Sequence, residues 1–266
     1  MKIAAIQMVS SASPLTNMAT AERLIRQAKL EGAELIALPE YWSIMGLRDQ
    51  DKVLCAETFD QGPLQDFMQA LAQELEIYLI GGTIPLKSEI TDKIYNACLT
   101  YGPQGELVTR YDKIHLFGFR NGDESYQESN TITPGHEVGS FQLPIGKVGL
   151  GICYDLRFPE LFRSMGQCSL MVLPAAFTHV TGQAHWEVLL RARAIENQCY
   201  VLASAQGGLH ENGRRTWGHS MLIDPWGKII DCVDEGEGIC VGDLDLENMG
   251  KMRANLPALQ HRKIAC

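Results

Sequence analysis

The chain has 266 residues, 45% of them hydrophobic, which is ample for a sizeable core and sets a single domain over 1–266 as the expectation. Its net charge of -9 comes from dispersed acidic residues, so no basic patch points to nucleic acid, and the balance disfavours anionic membrane surfaces. Eight cysteines without a C-x-x-C pair, behind a start (Met1-Lys-Ile-Ala-Ala-Ile-Gln) that is neither a signal peptide nor a span, argue against disulfides or zinc and for a reducing, cytoplasmic setting with no metal or other cofactor.

Residues 3–8 read as a strand. An amphipathic helix follows over 18–30, with Leu24, Ile25 and Ala28 on one face. A second buried strand, 34–39, ends at Glu40. The spacing of Leu64, Phe67, Met68, Leu71 and Leu75 predicts a helix over 62–76, and 77–82 is a third strand. Residues 95–111 form a hairpin turning at Gly102-Pro-Gln-Gly105. The segment 118–126 is polar and reads as a loop.

The order then begins again. A hairpin through Leu143-Pro-Ile-Gly146 leads to Cys153, and a helix over 159–165 opens on Pro159. A strand over 169–174 precedes a helix over 184–198, with Trp186, Leu189, Leu190 and Ala194 inward. Residues 199–204 are a strand, and 220–233 a hairpin turning at Asp224-Pro-Trp-Gly227. Leu38-Pro39 and Leu173-Pro174 occupy corresponding places in the two halves. This repetition predicts an α/β protein with internal pseudo-symmetry: two face-to-face sheets with helices outside, a four-layer α-β-β-α sandwich. The tail from about 247 to 266 reads as an irregular extension.

Val148, Leu150 and Ile152 alternate with Gly149 and Gly151, which suggests a strand closely approached by another backbone or a ligand. Cys153 follows at a strand-to-helix turn, where a thiol projects into a cleft and a helix N-terminus favours the thiolate. The same cysteine also reads as a small buried hydrophobe. Glu40 is a carboxylate at the edge of an apolar run, where burial raises its pKa toward values useful in acid–base work. Lys113, beside Ile114, Leu116 and Phe117, suits an oxyanion partner, or a snorkelling surface lysine.

Glu40 in ALPE, Lys113 in YDKIHLF and Cys153 in GICYDLRFPEL stand in an order and at separations that resemble the nitrilase, or carbon–nitrogen hydrolase, superfamily. The resemblance runs from Ile3 to about Arg262. It implies the α-β-β-α fold, often paired into larger dimers, and a Glu-Lys-Cys catalytic set. Glu40 is then the general base, Cys153 the nucleophile that forms a thioester, and Lys113 the oxyanion partner, helped by the backbone N–H of Tyr154. A second glutamate often follows the lysine loop. Glu128, in Gln127-Glu-Ser-Asn130, matches best and would orient Lys113 and substrate; Glu124 is the weaker candidate. The segment Gly118-Phe-Arg-Asn-Gly122 lacks the acidic and proline residues common in relatives, which puts substrate contacts from it in doubt.

The stretches WEVLLRARAIENQCYV and GHSMLIDPWG resemble the Nit branch of small-acid amidases. The implied substrate is a 2-oxo acid amide. One option is deaminated glutathione, cleaved to 2-oxoglutarate and cysteinylglycine. The other is the ω-amidase pair 2-oxoglutaramate and 2-oxosuccinamate, or another small amide or carbamoyl compound. Such substrates need cationic or hydroxyl partners, and the candidates are Arg157, Phe177, Thr178, Thr181 and His185. Alternatively Arg157 pairs with Asp155, and His185 only packs. Arg191, Arg193 and Glu196 read as structural ion pairs. A non-catalytic binding protein on the same fold is a remote alternative, because it would be expected to have lost one of the three residues.

Overall fold

The computed structural model describes residues 1–121 and 124–264. The first half runs β1 (Lys2–Gln7), α1 (Pro14–Leu30), β2 (Leu35–Ala37), the short α2 (Asp51–Leu54), α3 (Pro63–Leu75), β3 (Tyr78–Ile80), β4 (Ile84–Lys87), β5 (Ile94–Tyr101), β6 (Leu107–Asp112), β7 (Gly118–Asn121) and β8 (Glu124–Gln127). The second runs β9 (Ser140–Leu143), β10 (Gly146–Leu150), α4 (Pro159–Ser164), β11 (Leu170–Ala175), α5 (His179–Asn197), β12 (Tyr200–Ala205), β13 (Gly207–Leu209), β14 (Arg215–Trp217), β15 (Met221–Ile223), β16 (Ile229–Cys232), β17 (Gly238–Asp243) and α6 (Leu246–Asn255).

One sheet has the order β17-β1-β2-β3-β5-β4, with β6 also on β5; the other has the order β16-β15-β12-β11-β10-β9. Each is built on three parallel strands, β1-β2-β3 and β10-β11-β12. In each, an antiparallel strand flanks the first of the three, β17 on β1 and β9 on β10. The internal pseudo-symmetry is therefore visible in the pairing.

Strand periodicity builds the layers. In β1, Ile3 and Ala5 join the core between the sheets, while Ala4 and Ile6 join the cluster under α1 and α3. Leu35 and Ala37 of β2 face inward, and Ile36 faces the helices. On the opposite side Trp186, Leu190 and Ala194 of α5 are buried on the second sheet. The result is the four-layer α-β-β-α sandwich. The Ser204 hydroxyl on β12 donates to the carbonyls of Ile6 and Ala37, which ties the two sheets where they face each other. No helix among the described residues is long and apolar enough to cross a membrane.

Several local expectations need correction. Residues 118–126 are not a plain loop: β7 and β8 pair antiparallel, Gly118 opposite Gln127 and Asn121 opposite Glu124. The end of the chain is not irregular throughout, since Asp245 caps α6 through the Asn248 N–H. Helix α1 begins at Pro14 because Ser13 caps it and the proline presets its first turn, ahead of the apolar stripe. Side chains rather than another backbone approach Gly149 and Gly151. A Cβ on Gly149 would meet Met165 Sδ at 2.6 Å, and one on Gly151 would meet Phe162 Cζ at 3.0 Å, so core side chains fill that space.

Candidate active site

The loops that follow β2, β6, β10 and β11 meet at one end of the sandwich. They carry Glu40, Lys113, Cys153 and Phe177 respectively, as ligand-binding loops in α/β sheets do. Lys113 is fully buried, and Glu40 is 1% exposed. A buried ammonium is held only by close anions. Lys113 Nζ donates to Glu40 Oε1 at 2.8 Å and to Glu128 Oε1 at 3.0 Å, with Glu128 Oε2 at 2.8 Å.

Cys153 stands beside this set, 7% exposed, close enough that its thiol and the Glu40 carboxylate act on each other's ionisation. The backbone there is in the left-handed region, φ 50°, and continues as a 3₁₀ turn over Cys153–Arg157. Such strain at a non-glycine residue persists only where the surroundings enforce it. Helix α4 starts six residues later, so the expected helix N-terminus does not face the sulfur. The electrostatics run against a resting thiolate. Burial and then the Glu40 charge push the Cys153 thiol well up, against the pull of Lys113 and the Ala176 N–H.

Burial likewise raises Glu40, more than Lys113 lowers it. Burial pulls Lys113 down, but Glu128 and Glu40 outweigh it and keep the ammonium charged. Burial works on Glu128 in the opposite sense to its partners; Lys113, the Phe117 N–H and the Tyr41 hydroxyl hold it below the usual carboxylate range. The resting site is a neutral thiol, a charged lysine, an ionised Glu128 and a Glu40 poised to gain a proton.

Arg157, Phe177, Thr178 and Thr181 are brought to this place, and His185 is not. A cleft of about 210 Å³ is lined by Cys153, Tyr154, Arg157, Phe177, Thr178 and Thr181, with Phe117 closing one side. Arg157 does not pair with Asp155. Its guanidinium lies over the rings of Phe177 and Tyr154, at 5.4 and 5.8 Å, and donates to His185 Nδ1 at 3.3 Å. His185 is exposed and reaches the cleft only through that contact. Thr178 is the N-cap of α5, and its hydroxyl lies 2.8 Å from that of Thr181, so part of their bonding is spent on the helix. Arg193 pairs with Glu196 and also donates to the Leu156 carbonyl at 3.0 Å, which holds the turn after Cys153. The side chain of Glu124 lies outside the described residues.

Sequence reasoning missed three supporting residues. Asn96 Nδ2 donates to Glu40 Oε1 at 2.9 Å, and the Tyr41 hydroxyl donates to Glu128 Oε1 at 2.7 Å. Asp155, with no exposed surface, accepts from the Tyr111 hydroxyl (2.7 Å), the Ile152 N–H (2.8 Å), and the N–H and Nδ1 of His115 (3.0 and 2.7 Å). One signal was available: Asn96 is a polar residue in the apolar run Ile94–Tyr101.

The chain is similar to known proteins over nearly its whole length. The carbon-nitrogen hydrolase family model matches residues 2–254. Deaminated glutathione amidase of Rattus norvegicus is 41% identical over 268 residues, 98% of this chain and 82% of that protein. An omega-amidase of Mus musculus is 37% identical over 269 residues, 98% of this chain and 95% of that protein. Among solved structures, Saccharomyces cerevisiae Nit3, described as a member of branch 10 of the nitrilase superfamily, superposes with a TM-score of 0.88 at 33% identity. That match covers 99% of this chain and 97% of the other.

Proposed function

The chain belongs to the carbon–nitrogen hydrolase family and is an amidase, and from that premise we propose that it hydrolyses a 2-oxo acid amide, deaminated glutathione first, through a thioester on Cys153. The observation that carries this reading is the buried Glu40–Lys113–Glu128 set against the Cys153 thiol, opening on a cleft that holds Arg157.

The steps follow from the positions. The Cys153 sulfur attacks the amide carbon as its proton passes to Glu40, the buried carboxylate beside it. Proton transfer and attack are coupled, because a free thiolate beside Glu40 is disfavoured. The tetrahedral oxyanion is held by the Lys113 ammonium and the Tyr154 N–H; one such donor is typically worth about 3 kcal/mol. Glu40 returns its proton to the departing nitrogen, the C–N bond breaks, and the acyl group remains on sulfur. Water then attacks the thioester, gives its proton to Glu40, and releases the acid; the proton returns to Cys153. Glu128, already ionised and anchored by Tyr41, fixes the direction of Lys113. Arg157 is the partner for the carboxylate of the 2-oxo acid, and Phe177, Thr178 and Thr181 shape that end of the cleft.

Release of ammonia from 2-oxoglutaramate is the second reading, supported by the similarity to the omega-amidase. Side-by-side rates of 2-oxoglutarate release from the two amides, with Cys153→Ala as control, separate them. A preference for deaminated glutathione supports the first, a preference for 2-oxoglutaramate the second. Release that persists in Cys153→Ala sinks both. We also propose a cytoplasmic location, where reducing conditions keep Cys153 a thiol. We propose a homodimer as well. Val188 and Ile195 are exposed about two turns apart on α5, and the turn that carries exposed Trp226 packs on the same helix through Arg191 Nε to the Gly227 carbonyl, an apolar face suited to a second copy.

A further inference from the structure

Phe117 is a wall of the cleft at Cys153 and also of a second, narrow passage on the Glu128 side. That passage shares Tyr41, Asp49, Lys52 and Arg214 with an open chamber beyond it, and the Asp49 side chain there is 74% exposed. The mechanism uses none of this space. We propose that the chamber takes the leaving-group side of the substrate, with Arg214 and Lys52 binding a carboxylate at the far end of a peptide-like leaving group. The inference rests on the reading that the substrate is a 2-oxo acid amide with a dipeptide leaving group.

Two cations face the chamber without close neutralisation. Arg214 has no carboxylate partner among the described residues. Its guanidinium lies over the Tyr126 ring at 5.0 Å, and its Nη1 reaches only the Met45 sulfur, at 3.7 Å. The Lys52 side chain is 13% exposed; its nearest acidic partner is Asp49 at 3.8 Å, whose own side chain is 74% exposed. The other acids nearby are engaged. Asp51 pairs with Arg48, and Glu128 is bound by Lys113, Tyr41 and the Phe117 N–H. Burial pulls the Lys52 ammonium down against the opposing charges of Asp49 and Glu128, and Arg214 adds to the pull, so the two cations are held at a cost that an entering anion relieves.

The sizes fit the assignment. The cleft at Cys153 is the smaller space and already contains Arg157, a partner for the acyl-side carboxylate. A dipeptide leaving group extends about 7 Å beyond the scissile nitrogen, and Phe117 is a wall of both the cleft and the passage. Guanidinium and ammonium groups are the usual partners of such a carboxylate.

The test compares three amides of the same 2-oxo acid: one with a glycine-terminated dipeptide, the same with its terminal carboxylate amidated, and the primary amide. In Arg214→Met and Lys52→Met the kcat/KM ratio of the carboxylate-tailed to the primary amide should fall roughly tenfold or more, mostly through KM. The ratio for the amidated tail should stay as in the wild type. An unchanged first ratio, or an equal fall in both, overturns the proposal while leaving the substrate reading intact. If the wild type cleaves the primary amide but neither tailed one, the dipeptide-substrate reading falls. The chamber is then judged by inhibition of primary-amide hydrolysis by the free glycine-terminated dipeptide. Inhibition that weakens about tenfold in Arg214→Met supports the chamber; inhibition that is absent in the wild type, or insensitive to Arg214→Met, overturns it.

Discussion

Asp155→Asn tests whether one buried carboxylate holds the two catalytic loops together. Asp155 Oδ2 accepts from the Tyr111 hydroxyl and the Ile152 N–H, next to Cys153; Oδ1 accepts from the His115 N–H and Nδ1, two residues after Lys113. An asparagine keeps one oxygen and turns an N–H₂ toward the other pair of donors. The loss is two hydrogen bonds to a charged acceptor, worth about 1.5–3 kcal/mol each. If the amide turns its N–H₂ to His115, the ring regains one bond by presenting Nδ1 as acceptor, but the His115 N–H stays stranded. We expect a net cost of about 2–4 kcal/mol. For a chain of this size that is a fall in Tm of about 4–12 °C. Because Ile152 and His115 lie so close to the nucleophile and the lysine, kcat/KM should fall about 10–100-fold even well below the transition. Thermal melts and steady-state kinetics read the two effects separately. A variant that melts within 2 °C of the wild type and keeps kcat/KM within about twofold would refute the reasoning, because the loops would then be held without Asp155.

Three further outcomes follow from the site and the core. In the proposed mechanism Glu40 is the base, and burial raises its pKa, so activity needs the ionised form and is lost as pH falls; the acidic limb of kcat/KM should lie above the ordinary carboxylate value of about 4.3, and a limb at or below it would contradict the burial argument. Glu128→Gln leaves Lys113 with one full anionic partner and weakens the contacts with Tyr41 and Phe117. We expect kcat to drop about 10–100-fold with a smaller change in KM, whereas a pure KM effect would move Glu128 from orienting the lysine to binding substrate. In α5 a Cβ on Gly182 would meet Trp217 Cβ at 2.2 Å, so Gly182→Ala should destabilise by about 1–3 kcal/mol; equal or higher stability in a denaturant titration would mean that β14 yields freely.

The residues legible in the sequence were those whose chemistry is local. Glu40 ends an apolar run, Lys113 sits among apolar neighbours, and Cys153 closes a strand; together their order named the family. The parallel strands and the main helices were legible for the same reason, because their periods are local. What the sequence hid depends on contacts between distant segments. Strand β17 flanks β1 from the other end of the chain, and no local pattern states that partner. Asp155 looked like a companion for Arg157, two residues away, yet its carboxylate faces Tyr111 and His115. Asn96 and Tyr41 are ordinary residues on a strand and after one, given a role only when the loops converge.

The charges of the converged site explain why its parts are shared. Among the described residues Lys113 is the one cation hydrogen-bonded to the two carboxylates Glu40 and Glu128, so that hydrogen-bonded set carries an excess negative charge before substrate arrives. Ionising Cys153 on its own would add a second excess charge at low exposure, which is why burial and Glu40 drive the thiol upward. When Glu40 takes the proton as sulfur attacks, the negative charge moves to the substrate oxyanion without growing in number, and Lys113 is already positioned for it. An anionic substrate would upset that balance if its carboxylate lay against Glu40 or Glu128. Arg157, on the far wall of the cleft, gives the acyl-side carboxylate a partner away from both, so the same residue that would attract the substrate would keep its charge from the proton transfer.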